Sequence, residues 1–146
     1  MNINITKFHP SAILPQYQTV GAAGADIHAC IDGPIVLQPM ERRAIPTGFG
    51  MEIPQGYEVQ IRARSSFGRK YGVTMANGVG TIDSDYRGEF SVLLINLGQE
   101  PFTIEPNMRI AQMVLARYER AEWTEVEELD VTERGMGGFG STGHGV

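Results

Sequence analysis

Cysteine is almost missing from this chain. Cys30 stands alone, so neither an intrachain disulfide nor a cysteine-rich zinc site can be built. Its plain reading is a small buried residue in a reduced compartment. Long apolar runs are missing as well, and none approaches the length of a membrane span. Residues 1–10 lack the cationic start and apolar stretch of a secretion signal. These absences lead us to expect no membrane partner and a cytoplasmic setting, or a host's cytoplasm if the source is viral. Positive charge is in short supply too: Lys and Arg total 12 against 17 Asp and Glu, a formal net charge of -5. That balance argues against a nucleic-acid partner, which favours a basic surface. A small anionic ligand held by a few local cations remains open. No Gly-x-Ser-x-Gly elbow is present for a serine–histidine hydrolase. What is present is a 146-residue chain, 42% hydrophobic and 20% charged, long enough for one domain with a real core.

The punctuation is that of an all-β protein. Turn signals recur at Asp32-Gly33-Pro34, Pro46-Thr47-Gly48, Pro54-Gln55-Gly56, Asn77-Gly78, Leu97-Gly98 and Pro106-Asn107. Between them lie short β-rich runs. In residues 57–64, Tyr57, Val59, Ile61 and Ala63 share one face while Glu58, Gln60, Arg62 and Arg64 share the other. Residues 91–97 read as a central strand and residues 110–118 as another, interrupted by the polar Gln112. One short helix is expected over residues 66–71. Many short strands at this spacing predict a distorted jelly roll or β-sandwich.

The tail breaks the texture. Six of the twelve residues in 135–146 are glycine, so ordering them costs much entropy and buries little apolar surface. Alone the segment should be mobile, and a ligand or neighbouring subunit must order it. We therefore divide the chain into a domain over 1–133 and a flexible arm over 134–146. The arm mixes Arg134, Phe139, Ser141 and Thr142 among its glycines. Arginine can fork onto phosphate oxygens, an aromatic ring can stack on a base, and glycines let backbone N–H groups approach an anion. The spacing of Gly135 and Gly140 imitates a P-loop, but the lysine and the following helix are missing, which excludes an ordinary P-loop ATPase.

The densest site-like stretch is residues 83–90, Asp83-Ser84-Asp85-Tyr86-Arg87-Gly88-Glu89-Phe90, after a hairpin-like run over 76–82. Two aspartates, a tyrosine and an arginine in a turn between strands can face a ligand from a rigid base. Arg64-Ser65-Ser66-Phe67-Gly68 opens the expected helix, where Ser65 or Ser66 either caps it or, with Arg64, meets a phosphate. Asp26 and His28 share one side of a possible strand. A metal pair is conceivable there, although a lone histidine is more often structural. Gln112 needs a partner, structural or ligand.

Five segments in order resemble the trimeric dUTPase family: residues 23–29 (Ala-Gly-Ala-Asp-Ile-His-Ala), 64–68 (Arg-Ser-Ser-Phe-Gly), 78–89 (Gly-Val-Gly-Thr-Ile-Asp-Ser-Asp-Tyr-Arg-Gly-Glu), 109–113 (Arg-Ile-Ala-Gln-Met) and 134–143. Departures are mild: Ala63 stands where proline is frequent, and Ser66 and Phe67 occupy variable places. The resemblance implies a jelly-roll subunit and a homotrimer with active sites between subunits. It implies hydrolysis of dUTP to dUMP and pyrophosphate, with Asp83 activating the attacking water. Residues 77–86, with Asn77, Gly80, Thr81 and Ile82 among the binding residues, would form the hairpin that receives uracil and deoxyribose, and Tyr86 would lie against the sugar. Arg64, Ser65, Ser66, Gly68 and Gln112 would position phosphates. Arg134 would clamp them, Phe139 would cap the uracil, and Gly138, Gly140, Ser141 and Thr142 would complete the arm's contacts. Mg²⁺ is the implied cofactor. It would be carried by the substrate phosphates with no direct protein ligand, and Asp26 would have an outer-shell or structural role. Two other readings stand beside this one, a dCTP deaminase of similar fold and a jelly-roll binding module without catalysis.

Overall fold

The computed structural model describes residues 1–139 and 141. The strands in chain order are β1 (Ile5–Lys7), β2 (Gln16–Tyr17), β3 (Ala25–His28), β4 (Ile35–Leu37), β5 (Arg42–Pro46), β6 (Phe49–Met51) and β7 (Tyr57–Ala63). The helix α1 (Ser65–Tyr71) follows, then β8 (Val73–Met75), β9 (Gly80–Ile82), β10 (Ser91–Asn96), β11 (Phe102–Ile104) and β12 (Arg109–Arg117). The largest sheet has the order β2-β3-β12-β7-β9, and a second has the order β5-β10-β8. Two small pairs, β1-β6 and β11-β4, complete an all-β, jelly-roll-like architecture. No helix among the described residues is long and apolar enough to cross a membrane.

The alternation in residues 57–64 explains how the large sheet meets the core. Val59 and Ile61 are buried, while Arg62 points outward. The central-strand expectation for residues 91–97 holds: β10 pairs β5 on one side and β8 on the other. Val92, Leu94 and Asn96 face inward from it. The buried polar Asn96 is satisfied, donating to the carbonyls of Leu37 at 2.9 Å and Glu100 at 2.8 Å. Phe49 and Phe90 are both fully buried, their rings 5.5 Å apart. Truncating either to alanine should cost about 3–5 kcal/mol.

The helix begins one residue earlier than expected. Arg64 is its N-cap residue and no side chain caps it, so neither Ser65 nor Ser66 serves as the cap. Its end is well made: Arg69 and Lys70 lie in the last turn, where cations suit the helix dipole, and Gly72 adopts a left-handed φ of 71°. A Cβ at Gly72 would also meet the Gly98 backbone nitrogen at 2.7 Å.

Two further expectations need correction. Cys30 is only half-buried. Ala25, Ile27 and Ala29 take the inward positions of the alternation, which turns Asp26, His28 and Cys30 outward. The run over 76–82 is not a paired hairpin. β8 pairs with β10, whereas β9 pairs with β7, so the segment carries the chain from one sheet to the other.

Candidate active site

That crossing opens a cavity of about 330 Å³ between the two sheets. Asn77, Gly80, Thr81, Ile82, Asp83 and Tyr86, singled out above, all line it. Gly80 is needed for their approach, since a Cβ there would lie 3.2 Å from Asn77 Nδ2 and 3.4 Å from Ile61 Cβ. Glu89, within the 78–89 segment, also lines it, and the motifs did not reveal Ile61, Met75, Ser91 and Leu93, which complete the lining. Ile61 and Met75 read as ordinary core, and Ser91 and Leu93 read as the second face of a central strand. Only the pairing of β10 with β8 shows that this face looks into a cavity.

Asp83 is exposed and lines this cavity as well as a second one of about 650 Å³. Asp85, Arg87 and Arg120 contribute charge to the second. A carboxylate on the ridge between two clefts can meet a ligand on one side and water on the other. The turn that carries it closes on itself. Tyr86 N–H donates to the Asp83 carbonyl at 3.2 Å, and the Arg87 guanidinium donates to the Ser84 carbonyl at 2.7 Å. Tyr86 stacks on Phe90 with ring centroids 6.2 Å apart, and its hydroxyl donates to the Glu89 carbonyl at 3.0 Å. Gly88 has to lack a side chain, because a Cβ there would overlap the Tyr86 hydroxyl.

A second polar group lies on the other face of the large sheet. Gln112 is directly opposite both Asp26 and Arg62, and residues so opposed share a face. Ile61, one residue before Arg62, therefore points the opposite way, toward the core. Gln112 Nε2 donates to the Ala63 carbonyl at 3.2 Å. Its Oε1 occupies the space that a Gly24 Cβ would fill. Arg64 donates to the Arg109 carbonyl at 2.8 Å and lies over the Phe67 ring at 5.7 Å. Arg109 reaches the Asp26 carboxylate at 3.2 Å. His28 Nδ1 is buried without a partner. Burial pushes the imidazole below its ordinary pKa, with Arg109 and Arg64 adding to the effect and Asp26 opposing it. Ser65 and Gly68 are exposed and Ser66 is half-exposed at the start of α1. None of Arg64, Ser65, Ser66, Gly68 and Gln112 lines the cavity that holds Asn77 and Tyr86.

The described arm residues Arg134, Gly138, Phe139 and Ser141 line neither of the two cavities. Arg134 donates to the Gly137 carbonyl at 2.9 Å, and Ser141 N–H donates to the Gly138 carbonyl at 2.9 Å. Phe139 is fully exposed. Gly140 and Thr142 lie outside the described residues.

Known proteins resemble this chain in sequence and in fold. The dUTPase family model matches residues 10–143. A deoxyuridine 5'-triphosphate nucleotidohydrolase of Treponema denticola is 54% identical over 138 residues, covering 94% of this chain and 96% of that protein. One from Orientia tsutsugamushi (strain Boryong) is 50% identical over 139 residues, covering 95% and 94%. The solved structure of Staphylococcus bacteriophage 80alpha dUTPase with dUPNHPP superposes with a TM-score of 0.89 at 26% identity, over 98% of this chain and 99% of that one. With the match spanning both polar groups and the cavity between the sheets, the chain belongs to the dUTPase family, enzymes that hydrolyse dUTP as diphosphatases.

Proposed function

We propose that dUTP is cleaved to dUMP and pyrophosphate by in-line attack of an Asp83-activated water on the α-phosphorus. The observation that carries this reading is the convergence of Asn77, Gly80, Thr81, Ile82, Asp83 and Tyr86 on one cavity, with Asp83 also facing a second cleft. Asn77 and neighbouring backbone groups read the uracil edge, and the narrow approach past Gly80 leaves no room for a 5-methyl group. Tyr86 covers the sugar where a 2′-hydroxyl would stand. A carboxylate within hydrogen-bond reach of the attacking water typically contributes about 10²–10⁴-fold. The rest comes from positioning and charge stabilisation.

The phosphates belong with Arg64, Ser65, Ser66, Gly68 and Gln112. Because Gln112 and Ile61 point to opposite faces of one sheet, a nucleotide seated in the cavity of one chain meets the phosphate group of another. This supports a homotrimer with sites between subunits. Residues 119–136 are exposed throughout and include Trp123, Val126, Leu129 and Val131, which supports an arm that lies on a neighbouring subunit. Arg134, Gly138, Phe139, Gly140, Ser141 and Thr142 then close over the nucleotide and exclude water.

Mg²⁺ is the cation this reading calls for. Among the described residues no group of three or more His, Cys, Asp or Glu could hold a metal ion. A cation that keeps several waters and is carried by phosphates needs no such group. Asp26, its side chain 14% exposed and paired with Arg109, is placed to hold an outer water or to fix Arg109. When bound, Mg²⁺ offsets phosphate charge. In the cytoplasm this reaction keeps uracil out of DNA and supplies dUMP for thymidylate synthesis.

Product analysis with dUTP, dCTP, dTTP and UTP, in Mg²⁺ and then in EDTA, tests the reading. Pyrophosphate and dUMP from dUTP alone, lost in EDTA, are expected. Ammonia from dCTP would move the assignment to a deaminase. Binding without turnover would leave only a binding module.

A further inference from the structure

Glu89 plays no part in the mechanism above, yet it touches both the cavity and the turn that carries Tyr86. Its carboxylate accepts the Gly48 N–H at 2.7 Å in a half-buried setting. Its backbone carbonyl accepts the Tyr86 hydroxyl at 3.0 Å. The next residue is fixed as firmly: Phe90 N–H donates to the Phe49 carbonyl at 2.9 Å, and Thr47 Oγ1 donates to the Phe90 carbonyl at 2.7 Å. Gly48 cannot easily shift to suit a new partner. It holds a left-handed φ of 74°, and a Cβ there would lie 2.6 Å from Ala12 Cβ and 2.7 Å from Cys30 Sγ. Its carbonyl also accepts the Phe8 N–H at 2.7 Å.

The rigid 47–49 turn is therefore an anchor. The carboxylate of Glu89 ties residue 89 to it, and residue 89 in turn sets where the Tyr86 hydroxyl hangs. From this geometry we infer that Glu89 is a positioning residue for sugar selectivity. By holding Gly48 N–H it fixes the carbonyl that orients the Tyr86 ring, and so it sets how far deoxyribonucleotides are preferred to ribonucleotides. The inference rests on the reading that Tyr86 covers the sugar. An unanchored ring can lean away and admit a 2′-hydroxyl, while losing contact with the deoxyribose.

The test compares kcat/KM for dUTP and UTP in the wild type, Glu89→Ala, Glu89→Gln and Tyr86→Phe, with thermal unfolding measured alongside. Glu89→Ala should lower the dUTP/UTP ratio by about three- to tenfold, the size expected when the net contribution of a typical hydrogen bond is lost. Glu89→Gln should restore most of it, because the amide oxygen still accepts the Gly48 N–H. Tyr86→Phe, which removes the hydroxyl and keeps the ring, should lower the ratio as Glu89→Ala does, and it carries the test if the alanine variant does not fold. Combining the two substitutions should lower the ratio little further than either alone. A wild-type ratio kept in Glu89→Ala or in Tyr86→Phe overturns the inference while leaving dUTP hydrolysis intact, and so does a proportional fall for both substrates with only the unfolding temperature changed. A wild-type enzyme that makes no distinction between dUTP and UTP would instead remove the reading of Tyr86 beneath it.

Discussion

The cavity beneath Tyr86 and the polar group around Gln112 lie on opposite faces of one five-stranded sheet, and they are finished to different degrees. The cavity is bounded on several sides by its own chain, with Leu93 and Ser91 on one sheet and Ile61 and Ile82 on the other. The Gln112 face is an open assembly of Arg64, Arg109, Asp26 and His28, and the imidazole nitrogen Nδ1 within it has no partner. On the proposed reading, one region selects a neutral base and sugar by fit. The other holds cations and hydrogen-bond donors. A chain that selects a nucleoside by itself and recruits phosphate contacts from a second copy would divide its labour in this way.

Substitutions in the two regions should change different quantities. The largest effect is expected at the ridge. Asp83→Asn should keep dUTP binding and lower kcat by about 10²–10⁴-fold, and near-normal turnover in a single-turnover assay would remove Asp83 from the role of base. Ending the chain after Glu133 should leave a folded oligomer whose kcat falls on the order of 10²-fold, because closure and orientation are lost. Unchanged kinetics would remove the arm from the site. Gly24→Ala displaces Gln112 and should lower kcat/KM for dUTP by about tenfold, the range for a misplaced hydrogen-bonding group. Deoxyuridine binding by calorimetry should stay the same. Equal losses for nucleotide and nucleoside would show that the regions are not separable.

The smallest effect concerns pH. The folded state holds His28 below its ordinary value of 6.5, so the unfolded chain binds a proton first as pH falls. Stability from this group is complete above 6.5 and declines as pH drops toward the folded pKa. His28→Phe should flatten that part of the unfolding-temperature profile, and an unchanged slope would place the dependence elsewhere.

Much of this was legible in residue order. The alternation of residues 57–64 and a helix over 66–71, one residue short of the observed start, follow from local pattern, and Asn77, Gly80, Thr81, Ile82, Asp83 and Tyr86 line one cavity. What escaped is tertiary. The 76–82 run looks like a hairpin because Asn77-Gly78 is a turn signal, but the strands on either side find different partners. Cys30 looks like core by residue type, while the parity of β3 puts Ala29 inside. Glu89 sits within a quoted motif, yet its partner, Gly48, is 41 residues away. No local signal joins the two.

The claim that one chain supplies the cavity and another the phosphate contacts is tested most directly by complementation. Asp83→Asn and Arg64→Ala subunits carry their defects in different regions, so each alone should be nearly inactive. Co-expressed with distinct tags and purified as mixed oligomers, they should regain dUTP hydrolysis, because some sites then combine an intact Asp83 from one copy with an intact Arg64 from another. Mixed oligomers as inactive as either parent would place both regions of a working site in the same chain and contradict the account.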